Sequence, residues 1–337
     1  MLNFDDERFL RIQSGAVALA PSIDAAVTEC LERRCSNMFF LGTGGAAILM
    51  QPAVQLLQRN SAFPVFSEIS AELVVTGHAR LSERSIVVIP SLSGTTKESI
   101  AALEYSRARG ATVIALAGHA ETPLAQDADH AIVNFAEDDT SSESFYLQSF
   151  MIALSVMRQR GEISGYDAVV SEFVKLPTAL LDAKRHFEPR AEKIAEAIKS
   201  EPYHVITASG FCWPQAWYYG MCILEEMQWI RTRPVHASDF FHGTLEIVEK
   251  GVSVMVLKGE DVTRPLTDRV ERFVRQHTDK LLVIDTADFA LDGLSSPTRG
   301  LASPIVLAGV LERLSAHLER KRSHPLTMRR YYRRIEY

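Results

Sequence analysis

At 337 residues the chain can hold one large or two medium domains with buried cores. Its 47% hydrophobic and 23% charged residues make an ordinary soluble globular mixture, and a net charge of −6 leaves one short basic run, RRYYRR (329–334), too little to argue for nucleic acid. No uncharged apolar run of about 18 residues is present to span a membrane. The acidic start MLNFDDERFL lacks the pattern of a signal peptide, so the expectation is a cytoplasmic protein with no membrane partner.

In chain order, residues 1–36 read as an N-terminal helical segment. Short apolar runs then alternate with helical patterns: NMFFLG (37–42), SIVVIP (85–90), ATVIALAG (111–118) and AIVNF (131–135) are strand candidates, apolar on both faces as central parallel strands must be. GTGGAA (42–47) is a glycine turn after the first strand; it lacks the dinucleotide pattern, and no G-x-x-x-x-G-K-[ST] loop occurs. PSLSGTTKES (90–99) ends a buried strand in small hydroxyl residues before a helix. Thr95 and Glu98 have capping-box spacing, which puts the helix start there. In the helix that follows, Ile100, Leu103 and Ala108 mark an apolar face and Gly110 the stop. A helix N-terminus offers free N–H groups and a positive dipole end, and Ser91, Ser93, Thr95 and Thr96 add hydroxyls without a full positive charge. That suits a sugar phosphate better than a nucleoside triphosphate, although residue type alone equally allows turns and caps.

Residues 156–200 form a helical connector, and 201–318 repeat the plan of 37–155. HVITASG (204–210), VSVMVLKG (252–259) and LLVID (281–285) read as strands, PQAWYYGMCILEEMQW and VTRPLTDRVERFVRQ as helices, and 319–337 as a tail. FFLGTGG and VITASGF are equivalent strand–glycine turn–helix points. The fold class is therefore α/β: two doubly wound parallel-sheet subdomains of three αβα layers, internally duplicated.

The helix from Pro214 to Trp229 is apolar on all faces, which predicts burial and the loss of water from at least one of Glu225 and Glu226. A desolvated carboxylate has a raised pKa, useful to a general base. The alternative is that both glutamates pair with Arg231 or Arg233 at the helix end. His242, between Phe241 and Gly243, is either an acid/base group or an ordinary loop histidine. Cys30, Cys35, Cys212 and Cys222 lack zinc-site spacing and read as free thiols in a reducing compartment. No cluster has metal-ligand spacing, so metal-free acid/base chemistry without a cofactor is expected.

Together these residues resemble the SIS (sugar isomerase) domain family, in a two-domain arrangement like the isomerase half of glucosamine-6-phosphate synthase. The motifs are GTGG after the first strand, SAEL (70–73), PSLSGTTKE, and EEM…FFHGTLEIVE. The resemblance implies Ser91, Ser93 and Thr96 as phosphate ligands, with Thr43 and Gly44 beside them, in a sugar-phosphate-binding first domain. It aligns Glu72, Ser141 and Glu143 with further substrate contacts. Glu226 and His242, sixteen residues apart, take the places of the base that shuttles a proton between C1 and C2 and of the group that opens the sugar ring. The same resemblance implies a homodimer with the active site near the interface, and a tail that reaches the active site.

The ending HPLTMRRYYRRIEY and the segment SDFFHGTLEIVEKGV look like the deglycases of phosphorylated Amadori compounds. Three departures from the synthase matter: Leu92 replaces a glutamine, Gly44 a serine, and Glu143 a lysine. The last puts an anion where the synthase has a cation, which suits the ammonium of an amino-acid substrate. The expected activity is hydrolysis of a fructosyl-amino-acid 6-phosphate, a phosphorylated sugar–amino acid conjugate, to glucose 6-phosphate and free amino acid. A sugar-phosphate aldose–ketose isomerase, an amino-sugar-phosphate deaminase and a non-catalytic sugar-phosphate sensor are the alternatives.

Overall fold

The computed structural model describes residues 1–137, 139–332 and 334–336, and the chain divides into an N-terminal unit, Asp6–Pro177, and a C-terminal unit, Thr178–Tyr337 with Met1–Asp5. In the N-terminal unit, α1 (Asp6–Ala18) and α2 (Ala20–Glu32) lead into β1 (Asn37–Gly42), α3 (Gly44–Asn60), β2 (Val65–Ile69) and α4 (Ser70–Thr76). β3 (Ser85–Ser91), α5 (Lys97–Arg107), β4 (Thr112–Ala117), α6 (Pro123–Asp127), β5 (His130–Val133), α7 (Ser141–Gln159) and α8 (Tyr166–Phe173) complete it. The five strands are parallel in the order β2-β1-β3-β4-β5.

Side chains alternate across a strand, so β1, β3 and β4 can carry apolar residues on both faces only if both faces are covered. All three are fully buried. Phe39, Leu41, Val87, Ile89, Val113 and Ala115 pack on one face with Leu73 of α4, Leu103 of α5 and Leu124 of α6. The alternate residues turn to the face that carries α3, itself packed on α7. The first lead-in helix, α1, is latched by polar bonds: Gln13 Nε2 donates to the Thr140 carbonyl at 3.0 Å, and Asn134 Nδ2 to the Ile12 carbonyl at 3.1 Å.

α9 (Leu176–Ile198) opens the C-terminal unit, followed by β6 (Tyr203–Ala208), α10 (Trp213–Tyr218), β7 (Arg231–His236), β8 (Ser253–Lys258), α11 (Arg264–His277), β9 (Leu281–Asp285) and α12 (Ser296–Arg322). Its sheet is parallel in the order β7-β6-β8-β9, the N-terminal order without a fifth strand. Val205, Val254 and Val256 pack against Val270 and Val274 of α11 and against Phe240. By length and composition α12 could cross a bilayer, but 94% of its apolar window is buried, as in a core helix. The first residues belong here too. Leu2 N donates to Glu188 Oε1 at 2.7 Å, its carbonyl accepts from Arg313 Nη1 at 2.8 Å, and the Phe4 ring lies 4.5 Å from the Arg313 guanidinium.

Two strands escaped the sequence reading, β2 and β7, and both are edge strands. An edge needs no continuous apolar run, and β7 (RTRPVH) tolerates Pro234 and two arginines because only one side must be paired. On α5 the buried residues are Ser99, Ala102, Leu103 and Ser106, while Ala108 falls beyond the helix and is exposed.

Candidate active site

In an open parallel sheet a ligand crevice forms outside the carboxyl ends of the strands, where the chain order reverses. In the N-terminal unit that point lies between β1 and β3. The loops flanking it are Thr43–Gly44 after β1 and Ser91–Thr96 after β3. Thr43 and Gly44 are exposed, and Gly44 has φ 59°. Ser91 is buried, its Oγ 3.1 Å from Thr96 Oγ1 and accepting from the Gly94 N–H at 3.1 Å. Ser93 Oγ accepts from Thr95 Oγ1 at 3.2 Å.

The helix starts one residue later than expected. Thr96, rather than Thr95, is the N-cap of α5, and no side-chain capping bond forms. Instead the hydroxyls bond one another across the loop, which leaves the first N–H groups of α5 open to a ligand. The loop is pinned from behind: Gly118 N donates to the Leu92 carbonyl at 3.1 Å and Leu124 N to the Gly94 carbonyl at 3.2 Å. Gly94 has φ 61°, and a Cβ there would meet Thr122 Oγ1 at 2.1 Å, so only glycine fits.

Glu72 is exposed in the first turn of α4, directly after β2 and therefore at the same sheet edge. Ser141 and Glu143 are buried in the first turn of α7, where the helix dipole favours a carboxylate. Asn134 Nδ2, just beyond β5, donates to Ser144 Oγ at 3.2 Å and fixes that turn at the strand's carboxyl end. All the predicted residues of this unit thus follow the carboxyl ends of its strands.

Glu226 and His242 lie in the C-terminal unit. The helix carrying Glu226 is not one α-helix buried all round. It begins as α10 and widens into a π-helical turn over Tyr219–Glu225, with Glu226 N donating to the Met221 carbonyl at 3.1 Å, five residues back. Trp217 is 38% exposed, Glu225 is exposed, and the Glu226 side chain keeps 32% of its accessible surface. Of the two glutamates, Glu226 thus loses about two thirds of its side-chain surface while Glu225 stays exposed, and the chain leaves the helix through Trp229 with φ 56°. Single π turns are frequent at functional sites.

The two glutamates part. Glu225 Oε1 accepts from Thr232 N at 3.0 Å and Thr232 Oγ1 at 2.7 Å, a tie to β7 where an arginine had been expected. Glu226 Oε1 accepts from Arg329 Nε at 2.8 Å. That arginine sits in the tail, seven residues beyond the end of α12, and no local signal in the sequence connects the two. Arg329 is itself held by its own backbone, donating through Nη1 to the Leu326 and Met328 carbonyls at 2.5 and 3.1 Å. His242 follows the short 3₁₀ turn Asp239–Phe241 and is exposed, with no side-chain partner among the described residues. Phe240 is buried beneath it, 5.3 Å from the Phe241 ring.

The C-terminal unit has its own reversal point between β6 and β8, and it is filled. Gly210, φ 55°, opens the loop after β6; a Cβ there would meet Asp261 Oδ2 at 2.3 Å. That carboxylate accepts from Phe211 N at 2.8 Å and from Thr263 N at 2.7 Å, while Ser209 Oγ lies 2.9 Å from Thr263 Oγ1. An internal anion takes the N–H groups that an external one would use. All four cysteines are free and buried, and no group of three His, Cys, Asp or Glu residues among the described residues could hold a metal ion.

Residues 33–158 match the SIS-domain family model. The chain is 29% identical over 317 residues to the fructosamine deglycase FrlB of Bacillus subtilis (strain 168), covering 94% of this chain and 97% of that protein. It is also 29% identical over 312 residues to the fructoselysine 6-phosphate deglycase of Escherichia coli (strain K12), covering 93% and 90%. A crystal structure from Salmonella typhimurium LT2, assigned as a phosphosugar isomerase, superposes with a TM-score of 0.89 at 29% identity, over 96% of this chain and 97% of that one. The chain carries an SIS domain at residues 33–158 and is an enzyme similar over nearly its whole length to fructosamine and fructoselysine 6-phosphate deglycases.

Proposed function

We propose that this protein hydrolyses a fructosyl-amino-acid 6-phosphate to glucose 6-phosphate and the free amino acid. The observation that carries the reading is the hydroxyl and N–H cradle at the reversal point of the N-terminal sheet. From Ser91 to Thr96 it contains no cation, which suits a phosphate monoester rather than a triphosphate with its metal. Ser91, Ser93 and Thr96 hold the phosphate, with the Thr43–Gly44 turn beside them. Glu72, Ser141 and Glu143 line the rest of the substrate's path at that edge.

Glu226 is the base and His242 the ring-opening group. With the ring open, Glu226 removes a C1 proton from the ketoamine to give a 1,2-enaminol. Return of the proton to C2 leaves an imine at C1, and water adds to that imine and releases the amine, so that C1 becomes the aldehyde of glucose 6-phosphate. The Arg329 guanidinium donates to Glu226 Oε1 at 2.8 Å and fixes the orientation of the base. His242 stands exposed without a side-chain partner among the described residues, which suits a group acting in a homodimer. The buried thiols suit the cytoplasm.

A panel of substrates tests the reading. Fructosyl-amino-acid 6-phosphates should release both glucose 6-phosphate and amino acid. Conversion of fructose 6-phosphate alone would make the protein an isomerase, release of ammonia from glucosamine 6-phosphate alone a deaminase, and binding without turnover a sensor.

A further inference from the structure

Beside Glu226 the C-terminal unit contains a pocket of about 670 Å³, within the usual size range for small-molecule sites. Three guanidinium groups line it, Arg231, Arg329 and Arg330, against two carboxylates, Glu225 and Glu226. Glu225 is turned onto Thr232 and Glu226 onto Arg329. Arg231 is exposed and has no side-chain partner among the described residues. The Arg330 guanidinium lies over the Trp229 ring, 3.9 Å from its centroid, and meets no carboxylate among the described residues. Stacking occupies the face of a guanidinium and leaves its edge donors for a planar acceptor. Trp229 is braced in turn by His324, ring centroids 4.4 Å apart, so the cation is presented on a rigid base. Tyr331 supplies a second aromatic wall.

We propose that this pocket is the subsite for the carboxylate of the departing amino acid, held by Arg231 and Arg330, with Trp229 and Tyr331 against its carbon chain. The inference rests on the deglycase reading and narrows its substrate class: conjugates of carboxylated amines are preferred to those of neutral amines. A pocket with more cations than anions, two of them lacking an acid partner, attracts a carboxylate, and a charge-assisted, bidentate contact is the strong form of that interaction.

The test compares kcat/KM for fructosyl-glycine 6-phosphate and for ε-linked fructosyl-lysine 6-phosphate, each against its carboxamide. The carboxamide keeps the size and removes the charge. In at least one pair the acid should be favoured about 10- to 100-fold, and the Arg231→Met/Arg330→Met variant should bring that ratio close to one. Equal cleavage of acid and amide in both pairs by the unaltered enzyme overturns this inference and leaves deglycation standing. A ratio that survives the double substitution overturns the assignment to these arginines, and release from none of the four compounds overturns the deglycase reading and this inference with it. Because the readout is a ratio within one protein preparation, a partial loss of folded variant does not affect it.

Discussion

Two adjacent glutamates of identical chemistry have different surroundings. Glu225 bonds both the N–H and the hydroxyl of Thr232 and so ties the end of the π turn to the start of β7. Glu226, one residue on, faces Arg329 and the pocket. Replacing Glu226 by Gln keeps the shape and a hydrogen-bond acceptor for Arg329 but removes the base. Turnover of the Amadori 6-phosphate should fall about 10²- to 10⁴-fold with KM little changed. Steady-state kinetics check this, and near-normal kcat would remove Glu226 from its role. Both residues were legible in the sequence as candidates. Arg329 was not, because an ion pair between residues 103 apart leaves no periodic trace.

At the scale of elements, the proposed phosphate cradle depends on the loop between β3 and α5 more than on any one hydroxyl. Its strand and its helix were readable from an apolar run followed by small hydroxyl residues, but the capping box was not realised. Tertiary bonds from Gly118 and Leu124 pull the loop back, the hydroxyls pair across it, and the N-cap passes to Thr96. Gly94→Ala puts a Cβ at φ 61° and against Thr122. A cost of about 1–3 kcal/mol in stability is expected, with KM for sugar phosphate raised at least about 10-fold. Urea unfolding and substrate titration measure the two. The loss of binding should exceed that of an alanine at exposed Thr95.

Across the whole molecule the same sheet order appears twice, and the copies have diverged at the corresponding point. In one unit the reversal point is open; in the other Asp261 closes it. The C-terminal unit also buries charge. Burial opposes ionisation of Glu312, but Lys184, 3.1 Å away, and Arg313 outweigh it and hold the carboxyl below the usual carboxylate range. His204, buried in β6 with Nδ1 2.7 Å from Ser253 Oγ, is pushed down to about 4 by the same loss of water. A histidine kept neutral in the folded protein adds stability above its unfolded pKa of about 6.5, and that stability is lost as pH falls from there towards 4. The contribution is on the order of 3 kcal/mol. Denaturation midpoints at pH 7 and pH 4.5 should differ less in His204→Gln than in the unaltered protein. An identical pH slope in both would show that His204 is not the group responsible.

The sequence by itself determined the α/β class, the central strands, the repeated plan of the two halves and the hydroxyls of the loop after β3 as candidates. Each of these is written locally: apolar runs that must be covered on both faces, glycine turns after strands, hydroxyls before a helix. Only the tertiary structure decided that Glu225 ties to Thr232 while Glu226 pairs with Arg329 of the tail, and that one reversal point is open while its counterpart holds an aspartate. It also decided the two edge strands, whose polar sequences are permitted because one side is left unpaired. Contacts of this kind depend on where distant segments meet, and hydrophobic periodicity carries no record of that.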